Sequence, residues 1–240
     1  KILDAHINRG AAYAQQGLFN EAFADFNRVI DLPESGTKYV ALALYNRGFV
    51  HGQLEHPKDA IADYTEVIEL RESSTELVAS ALNNRGLAYY RLDRYEDAIA
   101  DYTGAILSGS SNELIAHALR NRGNVYRFLK QFEESIADYT EVIELRESST
   151  EQTAEALFNR AVAYEHLEQF DEAINDYTKV TALPDTPSEQ RAKAIYNRSN
   201  SYRNLDRFDD AIADYTQIIE LPEASTELVA SALNNRGFVY

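Results

Sequence analysis

The feature that most constrains this 240-residue chain is a residue pair, Asn-Arg, that recurs at a nearly constant spacing. Successive pairs begin 37 or 38 residues apart, at Asn8, Asn46, Asn84, Asn121, Asn159, Asn197 and Asn235. An Asp followed by an aromatic residue keeps the same interval, and the windows 62–86 and 213–237 differ at only four of 25 positions. A fixed period of this length indicates stacked copies of one supersecondary unit.

Each unit is predicted to form two helices, because apolar residues recur at helical intervals on both sides of a short polar break. In the third unit this pattern covers 77–92 and 95–107. In a capping box, a hydroxyl residue and a Glu three residues later accept hydrogen bonds from free backbone N–H groups at a helix start. Such boxes are predicted from Ser73, Ser110, Ser148 and Thr186. The predicted repeats are 1–34, 35–72, 73–109, 110–147, 148–185 and 186–223, followed by one further first helix at 224–240.

Small residues stand where the two helices of a unit must approach each other. In the third unit Gly86 follows the Asn-Arg pair, and Ala98 precedes Tyr102 by four residues. Together with Tyr89, these residues resemble the signature of the tetratricopeptide repeat family, and the resemblance covers the whole chain. It implies an all-α fold, a right-handed superhelix of antiparallel helix pairs.

Three departures from the family pattern stand out. The units carry about one extra helical turn, an Arg replaces the large apolar residue before the small one, and His51 replaces the Tyr in the second repeat. Neither end of the chain carries an obvious cap, which a complete array needs. We therefore expect a segment of a longer array.

The repeated Arg is expected to form an ion pair with the Asp of the second helix, as Arg85 does with Asp101 in the third unit. Such a pair would link the two helices of each repeat. The alternative is that the Arg contacts a ligand.

The repeated Asn residues are expected to line one face of successive first helices. A carboxamide can bond both the C=O and the N–H groups of an extended backbone, and a similar Asn ladder holds substrate peptides in the superhelical repeats of O-GlcNAc transferases. The alternative is that these side chains brace neighbouring helices. The resemblance thus implies a scaffold that binds a protein or peptide. Its candidate binding residues are Asn8, Asn46, Asn84, Asn121, Asn159, Asn197, Asn235, Arg120, Asn124, Arg127, Lys193, Arg203, Tyr45, Phe49, Tyr90 and Phe128.

The variable positions of the same face are expected to be mildly basic, which favours an acidic peptide. Some tetratricopeptide co-chaperones hold a C-terminal carboxylate through a clamp of basic and amide residues. The positions that match this clamp here are Arg120, Asn124, Asn159, Lys193 and Asn197. A C-terminal segment is therefore a second candidate ligand.

The net charge of −16 argues against nucleic acid and anionic membranes as partners. The chain has no Cys, and we predict no catalytic residue, no metal ligand and no cofactor. The alternatives to a non-catalytic scaffold are a regulatory region of a larger enzyme and an array that assembles head to tail with itself. Composition leaves the compartment open, with the cytoplasm slightly favoured.

Overall fold

The computed structural model describes residues 1–33, 36–146, 149–221 and 224–239. Within these residues the chain is all-α, as predicted, and consecutive helices pack as pairs. The helices are α1 (Ile2–Gln15), α2 (Phe19–Ile30), α3 (Gly36–Gln53), α4 (Pro57–Glu69), α5 (Thr75–Tyr90), α6 (Tyr95–Leu107), α7 (Asn112–Phe128), α8 (Phe132–Glu144), α9 (Thr150–His166), α10 (Phe170–Ala182), α11 (Ser188–Asn204), α12 (Phe208–Glu220) and α13 (Thr226–Val239).

Contacts divide the chain into two compact units, Lys1–Val125 and Tyr126–Tyr240, with the boundary inside α7. In the first unit α1 to α6 pack in sequence, and α3 also contacts α1 and α5. In the second unit α8 to α13 pack in sequence, and α11 contacts α13. The division into six repeats stays a prediction.

The core of each repeat forms where a small residue of the first helix faces an aromatic ring of the second. A Cβ atom on Gly86 would lie 2.9 Å from Cε1 of Tyr102, and one on Gly48 would lie 3.0 Å from Cε1 of Tyr64. Both rings are almost completely buried. The expected packing of an aromatic ring into the space left by a small residue is therefore confirmed.

The helix starts differ from the predicted capping boxes by one residue. The N-cap of α5 is Ser74, while the hydroxyl of Ser73 donates to the carbonyl of Val67 at 3.0 Å. Thr186 likewise donates to the carbonyl of Val180 at 3.2 Å, and Pro187 precedes α11. The earlier hydroxyl thus satisfies an orphan carbonyl of the preceding helix.

The same shift affects the remaining starts. The helix α7 begins at Asn112, and the hydroxyl of Ser111 accepts the N–H of Leu114 at 3.5 Å. A complete capping box joins Ser149 and Gln152 at the start of α9, whereas the predicted cap Ser148 lies outside the described residues. Among the described helices, none has the length and apolar character needed to cross a bilayer.

Candidate functional site

The repeated Arg residues lie between helices and bind the repeated Asp residues in a bidentate manner. In the third repeat Nε and Nη2 of Arg85 donate to the two carboxylate oxygens of Asp101, both at 2.7 Å. The structural ion pair predicted for this repeat is thus confirmed. Equivalent pairs are Arg9–Asp25, Arg47–Asp63, Arg160–Asp176 and Arg198–Asp214.

The remaining guanidinium nitrogen of these Arg residues ties each repeat to the one before it. Nη1 of Arg85 donates to the hydroxyl of Thr65 in α4 at 2.9 Å, so this side chain joins α4, α5 and α6. The equivalent bonds are Arg47–Asn27, Arg122–Thr103, Arg160–Thr140, Arg198–Thr178 and Arg236–Thr216. The Arg residues are therefore engaged in holding the stack of helices, which leaves the Asn residues as the better candidates for a ligand.

Several of the repeated Asn side chains also bridge neighbouring first helices. Nδ2 of Asn84 donates to the hydroxyl of Tyr45 at 3.0 Å, and Nδ2 of Asn121 donates to Oδ1 of Asn83 at 2.9 Å. In the second unit Asn235 makes the same bond to the hydroxyl of Tyr196, at 3.0 Å. In each case the acceptor belongs to the residue just before the Asn of the preceding repeat, because that position faces the next first helix.

Where this preceding position is apolar, the Asn bonds elsewhere. Ile7 offers no acceptor, and Nδ2 of Asn46 donates to the carbonyl of Leu42 in its own helix at 2.7 Å. Phe158 offers none either, and Asn197 donates to the hydroxyl of Tyr177 at 3.3 Å. Asn8 is exposed and Asn159 is half-buried. The predicted ladder positions thus serve partly as braces, which is the alternative that the sequence left open.

A small pocket opens beside Asn84 in the first unit, between α3, α4 and α5. Its volume is about 110 Å³. Two of its lining residues, Phe49 and Leu87, are large apolar side chains that are 47% and 38% exposed. The pocket is lined by Phe49, Gly52, Gln53, Pro57, Ala60, Tyr64, Asn84, Leu87, Ala88 and Arg91.

The predicted aromatic positions are unequally accessible. Tyr45 is half-buried, with its ring centroid 5.8 Å from that of Tyr64, and burial raises its pKa above the usual value. Tyr90 is half-buried and packs against Tyr95, with ring centroids 5.7 Å apart. Phe128 in α7 is 56% exposed. Of these residues, Phe128 has the most surface to offer a ligand.

The predicted basic residues, and Arg91 at the end of α5, make polar contacts of their own. Nη1 of Arg91 donates to the carbonyl of Gly52 at 2.6 Å, and Nη2 of Arg120 lies 3.3 Å from Nδ1 of His117. Nζ of Lys193 is paired with Glu189 at 2.6 Å. Two further basic side chains lie near buried Tyr hydroxyls, where their charge opposes the rise in pKa that burial causes; they are Arg127 beside Tyr139 and Arg203 beside Tyr215.

The second unit also holds a half-buried carboxylate, Glu165. Glu165 accepts hydrogen bonds from Ser201 at 2.6 Å and from Tyr177 at 3.0 Å, and burial raises its pKa. The hydroxyl of Tyr177 also accepts from Asn197. Of the clamp positions, Arg120 and Asn124 fall in the first unit, and the other three fall in the second, so the clamp stays a prediction.

One cluster was missed by the sequence reasoning. His51, His56 and Asp59 each offer one potential ligand atom, and these atoms all lie within 4.8 Å of one another. His51 is half-buried, which lowers its pKa, whereas His56 and Asp59 are exposed. The available signal was the replacement of the family's Tyr by His51, together with a second His five residues later.

Comparison with known proteins identifies the repeats. A family model described as tetratricopeptide repeat matches residues 1–73 and 114–185, and two further models with the same description match residues 43–113 and 192–225. The search of curated proteins found no match.

Solved structures of low sequence identity share the fold. PilF of Pseudomonas aeruginosa is 18% identical with a TM-score of 0.70, and the alignment covers 97% of each chain. YrrB, described as a tetratricopeptide repeat protein with an unusual peptide-binding site, is 22% identical with a TM-score of 0.64, covering 88% of this chain and 97% of YrrB. The apo form of RapI is 14% identical with a TM-score of 0.77, covering 100% of this chain and 71% of RapI.

Proposed function

Because this chain belongs to the tetratricopeptide repeat family, whose repeats are typically non-catalytic interaction modules, we propose that it holds an extended peptide along its first helices. The chain is thus a protein-interaction scaffold in general terms. The finer proposal concerns the first unit, where the carboxamides of Asn46, Asn84 and Asn121 belong to successive first helices.

The observation that carries the proposal is the pocket beside Asn84. It brings a half-buried carboxamide together with the exposed rings and methyl groups of Phe49 and Leu87. Peptide sites combine apolar pockets for side chains with a few polar groups that hold the backbone. Nδ2 of Asn84 donates to the hydroxyl of Tyr45, and a carboxamide also carries an acceptor oxygen that can bond a peptide N–H group.

The likeness to YrrB adds support of a general kind. That protein is described as having a peptide-binding site, and the two chains share the fold. We propose only the chemical class of the ligand, which is an extended segment with an apolar side chain that enters the pocket. Arg91 and Arg120, both in the first unit, favour an acidic residue elsewhere in the segment.

The test starts from peptides selected against the wild-type chain from a random displayed library. Their affinities are then measured by calorimetry for the wild type and for Asn46→Ala/Asn84→Ala/Asn121→Ala. Loss of two or three backbone bonds, each worth about 0.5–1.5 kcal/mol, predicts a dissociation constant at least about fivefold higher. The matched control is Asn175→Ala in α10, since the other repeats carry Ala at that position.

A second variant separates peptide binding from bracing. Tyr45→Phe removes the hydroxyl that accepts the Asn84 brace but keeps both the aromatic ring at position 45 and the carboxamide, so peptide affinity should stay close to that of the wild type. Asn84→Ala loses the same brace and also the carboxamide itself, so it should weaken peptide binding. Equal affinities for the wild type, Asn84→Ala and Tyr45→Phe would show that Asn84 is only a brace.

Selected peptides also report on the ligand's end and charge. Each is compared as a free C-terminal carboxylate and as a C-terminal amide. A clear preference for the carboxylate would favour the clamp positions, and equal affinity would remove the clamp from consideration.

A further inference from the structure

The turns between the helices of a repeat share one backbone conformation. In the second repeat the N–H of His56 donates to the carbonyl of His51 at 2.9 Å, and Glu55 has a φ of 57°. In the third repeat the N–H of Arg94 donates to the carbonyl of Tyr89 at 3.0 Å, and the φ of Asp93 is 58°. The turn of the sixth repeat follows the same pattern, so equivalent side chains meet in equivalent places.

In the third and sixth repeats, an aromatic ring and a carboxylate of this turn flank the guanidinium group of an Arg. The guanidinium carbon of Arg94 lies 4.4 Å from the ring centroid of Tyr89, and its Nε lies 2.7 Å from Oδ2 of Asp97. In the sixth repeat the trio consists of Tyr202, Arg207 and Asp210. The guanidinium carbon of Arg207 lies 4.5 Å from the ring centroid of Tyr202, and its Nη2 lies 2.8 Å from Oδ2 of Asp210. The turn therefore builds a site in which a cation sits between an aromatic residue and a carboxylate.

The second repeat places different chemistry at these three positions. His51 stands in place of the Tyr, His56 in place of the Arg, and Asp59 in place of the Asp. Their potential ligand atoms lie within 4.8 Å of one another. The trio keeps the carboxylate and has lost the fixed cation, and it has gained two imidazoles.

The ring nitrogens of His51 are available for coordination. Nδ1 is buried and makes no hydrogen bond, and Nε2 lies 3.9 Å from Oδ2 of Asp63, too far for one. Asp63 is itself held by Arg47. Within the described residues, His51 thus has an unused lone pair, which is costly for a buried polar atom unless a partner supplies the bond.

We propose that His51, His56 and Asp59 form a binding site for a divalent transition-metal ion of the zinc class. Two imidazoles and one carboxylate are a ligand set that suits Zn²⁺, whereas Mg²⁺ and Ca²⁺ prefer oxygen ligands. Ligand atoms within 4.8 Å need only side-chain rotation to converge on one ion at about 2.0–2.2 Å. The rigid Pro57 directly follows His56 and limits backbone motion at the turn.

Ordinary packing accounts for only part of this arrangement. The ring of His51 packs against that of Phe23 in a tilted arrangement, with centroids 4.7 Å apart, and an acidic residue in the first turn of α4 is expected from the helix dipole alone. Neither reason calls for a second His at position 56. The equivalent residues in the other repeats are Leu18, Arg94, Gln131, Gln169 and Arg207.

The repeats themselves supply the matched variant that tests the proposal. His51→Tyr/His56→Arg converts the second turn into the trio of the third repeat, which is known to fit this backbone. Zn²⁺ is titrated into the metal-stripped chain by calorimetry, and the same variants are titrated with Co²⁺ while its visible absorption is recorded. We expect one ion per wild-type chain and an affinity at least about tenfold lower in the variant.

Two control variants test whether the loss of Zn²⁺ binding is specific to the cluster. His166→Gln removes a His outside the cluster and should leave Zn²⁺ affinity unchanged, and His56→Arg alone should lose it if the double variant does not fold. Equal Zn²⁺ affinity for the wild type and His51→Tyr/His56→Arg would overturn the proposal, since the ion would then bind to the acidic surface in general. Absence of visible Co²⁺ bands in the wild type would overturn it as well.

Discussion

The ion pair between Arg85 and Asp101 allows a quantitative prediction. The Asp101 side chain is only 8% exposed and the Arg85 side chain 16%, and two bonds of 2.7 Å join them. Replacing either residue by Leu leaves the other charge buried without its partner. Removing one member of a buried pair typically costs about 3–5 kcal/mol.

The double variant Arg85→Leu/Asp101→Leu leaves neither charge behind. Its loss in free energy of local unfolding, relative to the wild type, should therefore be much smaller than the sum of the losses in the two single variants. We expect a coupling of about 2–3 kcal/mol in a double-mutant cycle, at the upper end of the range for residues in contact. Hydrogen exchange of α5 and α6 is the suitable assay, because it reports local opening in a repeat protein that need not unfold in one step.

An exposed pair in the neighbouring turn serves as the control. Arg94 and Asp97 are also 2.7 Å apart, but their side chains are 51% and 49% exposed. Solvent screening makes the coupling of such an exposed pair much weaker than that of the buried pair. If the effects of the Arg85 and Asp101 substitutions are simply additive, or if the two pairs show equal coupling, the reasoning that burial strengthens the coupling is refuted.

Two further predictions use the same assay. Gly86→Ala should destabilise α5 by about 1–3 kcal/mol, because its Cβ would lie 2.9 Å from Tyr102, whereas Gly237→Ala meets no atom within 4 Å of the described residues and should cost nothing; equal effects would contradict this. The hydrogen bond from Arg9 lowers the pKa of Asp25, although burial opposes the shift. The stability that Asp25 adds over Asp25→Asn should thus be complete above about pH 4 and should be lost as the pH falls through the lower folded pKa; a constant difference across this range would contradict it.

Much of the fold follows from local patterns along the chain. The Asn-Arg interval and the helical spacing of apolar residues led to an all-α array, and the small residue facing an aromatic ring led to the packing of Gly86 against Tyr102. These features depend on neighbours within one repeat, and each repeat states them again. Repetition therefore made the prediction robust.

The helix starts were less predictable. Ser73 and Ser74 are both good N-caps by sequence, and the choice between them depends on the carbonyl of Val67, which belongs to the preceding helix. A local pattern cannot show which of two adjacent hydroxyls that carbonyl will engage.

The partners of the repeated Asn residues illustrate what the sequence could not decide. Asn84 and Asn46 are the same residue at the same repeat position, yet one bonds Tyr45 of the preceding repeat and the other bonds its own helix. The difference lies in whether the facing residue of the neighbouring helix offers an acceptor. That neighbour is about 39 residues away along the chain and is brought close only by stacking.

The sequence by itself determined the period, the helical class and the pairing of Arg with Asp, because these are properties of one repeat and its copies. Only the tertiary structure decided which carboxamides brace a neighbour and that His51, His56 and Asp59 meet at one turn. The physical reason is that hydrogen bonds and metal coordination depend on distances of a few ångströms between side chains. Those distances are set by how helices stack and how a turn closes.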